Sequence, residues 1–137
     1  MNYYNSFIAV ADDCPVSESV VPTTRGDQKT VALLQYEMIG GSPYRHTQED
    51  VLFNSWLQRQ DLGEESADQV RRLREQFFSK DQACLRASPL PKKFGWGLDF
   101  DDKGGVALCP MESPEYRQRV EGGGDVKVMK AMRSKRA

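Results

Sequence analysis

Histidine and cysteine are scarce in this sequence, which restricts the chemistry that the chain can support. His46 is the only histidine, so a catalytic triad or a histidine-rich metal site would depend on that one residue. It directly precedes Thr47, a predicted helix cap, and we interpret it as a residue of the capping loop. The three cysteines are odd in number and far apart, which is typical of free thiols in a reducing compartment. We therefore expect a cytoplasmic protein.

Long hydrophobic runs are also missing. No window approaches the run of about 18 apolar residues that a membrane span needs, and no positive charge precedes the short apolar stretch at the N-terminus. The sequence therefore predicts neither a membrane segment nor a signal peptide. Its 137 residues, 39% hydrophobic and 28% charged, suit a single globular domain over residues 1–137, because two independent cores of half that size would be marginal.

Charge is nearly balanced overall, at −1, but it is unevenly distributed. Residues 1–68 contain 4 Lys/Arg and 11 Asp/Glu, whereas residues 69–137 contain 15 Lys/Arg and 9 Asp/Glu. The charges of two such halves either form one acidic and one basic face or cancel each other where the halves pack together. The sequence leaves both arrangements open.

Helix signals are the clearest local patterns. Thr47 with Asp50 and Ser66 with Gln69 have the spacing of capping boxes, and each pair precedes apolar residues at helical intervals. The Ser-Pro pair at 113–114 is another typical helix start. Together with an apolar run that follows Thr30 and ends at two glycines, these patterns predict helices over about 31–39, 48–60, 67–78 and 113–120. The run at 31–39 is short and is also compatible with a strand.

Short apolar runs and alternating patterns predict β-structure. Trp96, Leu98 and Phe100 alternate with small or acidic residues, and a glycine-containing turn then leads into a second apolar run, as in a β-hairpin. We expect an α+β fold in which a small antiparallel sheet, with this hairpin in the C-terminal half, packs against two or three helices. The predicted strands lie near residues 6–11, 84–88, 96–101 and 105–109. Residues 122–137 are predicted to be a mobile glycine hinge followed by a basic C-terminal segment.

The acidic residues of the hairpin resemble the first part of a calcium-binding loop. Asp99, Asp101 and Gly104 match its first, third and sixth positions, but Lys103 and Pro110 occupy the fifth and twelfth, where oxygen ligands are required. We therefore interpret the acids as a hairpin tip, and we predict no metal site and no cofactor.

The segment RASPLPKKFGWGLDF, residues 86–100, has the most unusual composition. Its two prolines predict an extended backbone, and its paired lysines adjoin two aromatic residues. Cations interleaved with aromatic rings can bind single-stranded nucleic acid through phosphate contacts and base stacking. The alternative is a structural loop whose glycines allow Trp96 to pack while the lysines remain in solvent.

Several blocks of the sequence resemble a family of small bacterial proteins known only as a domain of unknown function. These blocks are MNYYNSFIAVADDCP (1–15), TVALLQYEM (30–38), YRHTQEDVLF (44–53), RASPLPKKFGWGLDF (86–100) and KAMRSKRA (130–137). The resemblance covers nearly the whole chain. It implies a bacterial, cytosolic, single-domain protein without an established activity.

Three functions are compatible with these observations. The leading hypothesis is a non-enzymatic binding module whose basic C-terminal half contacts an anionic partner, either nucleic acid or an acidic protein surface. The alternatives are a small enzyme or ligand-binding protein with a pocket near Trp96, where Tyr36, Tyr44 or Cys14 would supply a reactive group, and a structural or oligomeric protein without a ligand. The sequence assigns no catalytic residue and no oligomeric state. The candidate contact residues are Arg86, Lys92, Lys93, Phe94, Trp96, Lys130, Arg133, Lys135 and Arg136.

Overall fold

The computed structural model describes residues 1–60, 63–122 and 126–134. Its helices are α1 (Val31–Gly41), α2 (Gln48–Gln58), α3 (Ala67–Phe78), α4 (Pro89–Lys93) and α5 (Pro114–Glu121), and one turn of 3-10 helix covers Leu85–Ala87. Its strands are β1 (Ser6–Ala9), β2 (Thr24–Arg25), β3 (Gln28–Lys29), β4 (Trp96–Phe100), β5 (Val106–Pro110) and β6 (Lys127–Lys130).

Four of the strands form one sheet in the order β5-β4-β1-β6, and β2 pairs with β3 in a separate small hairpin. The β4–β5 hairpin is antiparallel, as predicted, and β4 also pairs antiparallel with β1. β6 instead runs parallel to β1, with Phe7 opposite Val128. The α+β fold and its mostly antiparallel sheet are therefore confirmed, and the parallel edge strand is an addition that the sequence analysis does not predict.

The main core lies on one face of the sheet. Ile8, Leu98 and Phe100 from the strands pack there against α1, α2 and α4, which contribute Ile39, Val51 and Leu90. Each of these side chains is at most 2% exposed. Full burial of an aliphatic or phenyl side chain stabilises a fold by about 1.5–3 kcal/mol. This core therefore holds α1, α2 and α4 on the sheet.

The opposite face of the sheet is covered by α5. The ring of Tyr116 lies 5.4 Å from that of Phe7 in an edge-to-face arrangement, and its hydroxyl accepts a hydrogen bond from the N–H of Val10 at 2.9 Å. α5 thus crosses from β5 to the far edge of the sheet, where the chain adds β6. The predicted hinge at 122–124 lies largely outside the described residues, but the basic segment after it supplies this strand.

The predicted helices agree with the structure. Both capping boxes form, since the side chains of Thr47 and Ser66 accept hydrogen bonds from the N–H groups three residues later. α1 continues through the two glycines that were expected to stop it and ends at Gly41.

The prediction of a strand near residues 84–88 is wrong. Leu85–Ala87 forms a 3-10 turn, and α4 follows it directly. The side chain of Ser88 caps α4 by accepting a hydrogen bond from the N–H of Leu90 at 3.2 Å. Pro89 occupies the first turn, where a fixed φ favours a helix and no backbone N–H is missed. The extended backbone predicted at Pro89 and Pro91 is wrong for the same reason.

Candidate anion-binding surface

Arg86 lies against the C-terminal strand. Its Nε donates a hydrogen bond to the carbonyl of Lys130 at 2.8 Å, although the two residues are 44 positions apart. In return, the carbonyl of Arg86 accepts a hydrogen bond from the N–H of Met132, also at 2.8 Å. Arg133 is the next residue along the chain. The structure therefore brings together three of the predicted contact residues.

An acidic turn lies beside these cations. Asp12 Oδ1 is 2.8 Å from Nζ of Lys130, and the carboxylate of Asp13 accepts a hydrogen bond from the N–H of Ser134 at 2.9 Å. The hydrogen bond and the charge of Asp12 raise the pKa of Lys130, so this lysine remains a cation. An anionic ligand would therefore compete with Asp12 for Lys130. Neither carboxylate is among the contact residues predicted from the sequence.

Lys92 and Lys93 end α4 at the same end of β1. The N–H of Ala11 donates a hydrogen bond to the carbonyl of Pro91 at 2.9 Å, while the N–H of Ala131 donates one to Ala9 at 2.8 Å. The end of β6 is thus attached to the last residue of β1, and the end of α4 is attached to the chain two residues further on. Lys93 is exposed and Lys92 is half-buried. We refer to this region as the basic end, which comprises Arg86, Lys92, Lys93, Lys130 and Arg133.

Of the two aromatic residues of the same sequence block, Trp96 is engaged in packing. The indole Nε1 of Trp96 donates a hydrogen bond to the carbonyl of Val20 at 2.8 Å, and its ring lies 5.3 Å from that of Tyr36. The carbonyl of Phe94 accepts a hydrogen bond from the N–H of Val20, also at 2.8 Å. Both aromatic residues are half-buried. Lys135 and Arg136, also predicted as contact residues, lie outside the described residues.

Close contacts explain why glycine occupies both positions that flank Trp96. Gly95 has a φ of +76°, and a Cβ there would lie 2.8 Å from Sδ of Met111. A Cβ on Gly97 would lie 2.7 Å from the ring of Phe7 and 2.9 Å from the ring of Tyr116. These distances support the structural interpretation of the glycines, in which they allow the loop and α5 to approach β4 closely.

A second polar cluster lies on the α5 side of the sheet. The carboxylate of Asp99 is nearly buried and accepts hydrogen bonds from the Tyr44 hydroxyl at 2.6 Å and from Arg119 Nη2 at 3.3 Å. Partial burial and the bond to Asp99 raise the pKa of Tyr44 to about 12. Asp99 thus ties the loop after α1 and the helix α5 to the centre of the sheet. Asp99 lies within β4 rather than at the hairpin tip, where the sequence predicts it, and Tyr44 and α5 account for its burial.

The reactive groups considered in the sequence do not converge. Burial raises the pKa of the Cys109 thiol, which therefore stays protonated and is a poor nucleophile. Tyr36 packs on Trp96, whereas Tyr44 is bound to Asp99 on the other face of the sheet. Cys14 belongs to the acidic turn, where its N–H donates a hydrogen bond to the carbonyl of Ala11 at 3.1 Å.

The described part of the chain contains neither a cluster of metal-ligating residues nor a membrane-spanning helix. Within residues 1–60, 63–122 and 126–134, no group of three or more His, Cys, Asp or Glu could hold a metal ion. In the same ranges, no helix has both the length and the apolar character required to cross a membrane. All three cysteines are free.

These observations define the class of protein as a single small α+β domain with a mixed sheet, enclosed by α1, α2 and α4 on one face and α5 on the other. The chain belongs to a family of unknown function, DUF6157, whose model matches residues 1–137. This match confirms the resemblance to a domain of unknown function. No curated protein and no solved structure matches the chain.

Proposed function

We propose that this protein is a non-enzymatic binding module whose basic end binds single-stranded nucleic acid through its phosphates. The observation that carries the proposal is the pair of hydrogen bonds that holds Arg86 against Lys130 and Met132. They gather cations from two distant parts of the sequence at one end of β1. The free thiols support placing this function in the cytoplasm, a reducing compartment.

Phosphate is the group that these side chains suit best. Arg86 uses Nε for the carbonyl of Lys130, so its two Nη groups remain for the paired oxygens of a phosphate. Lys93 and Arg133 are exposed and can follow a flexible backbone. Lys130 contributes less, because Asp12 already neutralises it. Four cations are then available to phosphates in the described part of the basic end.

Base stacking should contribute little to the affinity of the basic end for single-stranded nucleic acid. The ring of Trp96 packs on Tyr36, and its N–H is bonded to Val20. Affinity should therefore depend mainly on charge, with little preference for base sequence and a strong dependence on salt. The salt dependence of the affinity therefore gives a quantitative test.

A salt titration with a fluorescent single-stranded oligonucleotide tests the proposal. Each phosphate contact on a single strand contributes about −0.7 to the slope of log affinity against log salt, so four contacts predict a slope of about −2.8. Affinity should then fall about fiftyfold between 50 and 200 mM salt. Replacing three of the cations, K92A/K93A/R133A, should reduce the slope to about −0.7.

The control variant R45A/R71A/K103A removes the same net charge at exposed positions, of which Arg45 and Lys103 lie near the start of β1 rather than near its end. It should retain most of the original slope. Equal losses in the two triple variants would contradict the proposal, because binding would then follow net charge rather than this surface. A polyglutamate chain that competes as strongly as the oligonucleotide would assign the basic end to acidic proteins instead.

A further inference from the structure

Helix α3 is attached to the rest of the protein along one side. Its Phe77 ring lies 5.2 Å from that of Trp56 and 5.8 Å from that of Phe53 on α2. Arg74 fixes this contact, since its guanidinium lies over Phe53 and its Nη2 is 3.1 Å from Asp50. None of the residues of α3 is fully buried. Part of its apolar face therefore remains open to solvent.

An open groove runs along this part of α3. The larger section has a volume of about 490 Å³, with Trp56, Leu73 and Phe77 among the residues that line it. A smaller section of about 210 Å³ continues the groove and shares Leu73 and Gln76 with the first. The lining of the groove thus combines apolar and aromatic side chains with amide groups, which is the composition of many protein-binding surfaces.

The charges that line the groove are mainly positive. Lys80 lies in the larger section, Arg72 lies in the smaller one, and Glu65 is the acidic residue that lines the groove beside Arg72. Arg72 lies within α3, whereas Lys80 follows the end of that helix, so the two cations come from different sections of the groove. Carboxylates on a partner would complement both cations.

We propose that this groove binds an acidic amphipathic helix of a partner protein. Its large apolar side chains would cover Trp56, Leu73 and Phe77, and its carboxylates would face Arg72 and Lys80. The groove is lined by α2, by α3 and by the segments that flank α3, so it presents side chains rather than a strand edge. Recognition of a helix in a groove is the mode that suits such a surface. The groove shares no residue with the basic end, so the two surfaces are tested separately.

The two tryptophans provide a direct test by NMR. Their indole N–H groups give two resonances, one from Trp56 in the groove and one from Trp96, whose N–H is bonded to Val20. The probe is a synthetic helical peptide of about twelve residues with leucines on one face and glutamates on the other. Titration should shift the Trp56 resonance and leave that of Trp96 in place.

Charge reversal in the groove, R72E/K80E, should weaken peptide binding about tenfold or more. The control R71E/K103E changes the net charge equally at exposed positions outside the groove lining, and it should bind as the parent protein does. The same peptide with glutamine at every glutamate position should bind weakly.

Four results would overturn the proposal. One is an unmoved Trp56 resonance at saturating peptide, and another is equal binding of the glutamine peptide. A shift of Trp56 with protein concentration alone would show that a second copy of the chain occupies the groove. A shift of Trp56 on addition of a single-stranded oligonucleotide would assign the groove to nucleic acid.

Discussion

Replacing Gly97 by alanine tests how closely α5 packs on the sheet. The new Cβ would lie 2.7 Å from Cζ of Phe7 and 2.9 Å from Cε2 of Tyr116, closer than real Cβ atoms approach other heavy atoms. Neither ring can move easily, because Phe7 is fully buried and the Tyr116 hydroxyl is bonded to Val10. The substitution should therefore displace α5 or force both rings from their positions.

The expected change is a decrease in the free energy of unfolding. Overpacking of a well-packed core typically costs about 1–3 kcal/mol. Against this, alanine restricts the unfolded chain more than glycine does, which stabilises a protein by about 0.4–1 kcal/mol where the backbone is compatible. The net loss for G97A should be about 1–2 kcal/mol, a sizeable part of the 5–15 kcal/mol typical of a domain.

Urea unfolding followed by far-ultraviolet circular dichroism gives the measurement, and G41A is the matched control. Gly41 is an exposed residue at the end of α1, and a Cβ there would meet nothing within 4 Å. The same chemical change should thus stabilise the protein at position 41 and destabilise it at position 97. In a Tyr116→Leu background, G97A should cost less, because part of the clash is gone. Equal shifts at positions 97 and 41, or no change at 97, would refute the close packing inferred from the structure.

Two further predictions concern titratable groups. Folding raises the pKa of Tyr44 from its ordinary 10.0 to about 12, so its contribution to stability is complete below pH 10 and is lost as the pH rises towards 12. In thermal unfolding, the Y44F variant should lose less stability than the parent between pH 10 and 12, and parallel curves would argue against the Asp99 bond. Unreduced protein should expose three reactive thiols on unfolding, whereas in the folded state the buried Cys109 should react most slowly. Fewer than three thiols after unfolding would reveal a disulfide.

Helices were predictable from the sequence wherever a local pattern determined them. The capping boxes at Thr47 and Ser66 depend on residues three positions apart, and the structure forms both. The pair Ser113-Pro114 likewise begins α5. Such signals are readable because the hydrogen bonds that create them join neighbours in the chain.

The pair Ser88-Pro89 carries the same local signal for a helix start. This pair begins α4 in the way that Ser113-Pro114 begins α5, with a serine cap and a proline in the first turn. The two prolines together predict an extended backbone. Pro91 is compatible with a helix because the first turn lacks internal partners for its N–H groups. Whether a proline allows a helix therefore depends on its position relative to the helix cap, and not on the number of prolines in the segment.

The basic end could not be predicted in its actual form. Its composition was visible in the sequence, but its geometry depends on β6, a parallel edge strand paired with residues about 120 positions earlier, such as Ile8 with Met129. The bond from Arg86 to Lys130 depends on that pairing in turn. Nothing local in residues 127–130 specifies a parallel partner, because the pairing is set by the path of α5 across the sheet.

The charge asymmetry of the sequence is partly cancelled by contacts between its two halves. Asp12 and Asp50 come from the acidic half, and they pair with Lys130 and Arg74 from the basic half. The second pair, together with ring contacts, holds α3 on α2, whereas the first joins two exposed side chains near the end of β6. One residue of the acidic half therefore helps to position an element of the basic half.

This arrangement separates cations that position an element from cations that face solvent, even within one helix. The side chain of Arg74 is 35% exposed, stacks on two aromatic rings and pairs with Asp50, so its loss should weaken the packing of α3. Arg72 lies on the same helix but is exposed and lines the groove, so its loss should leave the fold intact. At the basic end, Lys130 and Arg133 are both exposed, and Lys130 forms a surface ion pair with Asp12. Binding can then be removed at either surface without unfolding the domain, which allows both proposals to be tested in a folded protein.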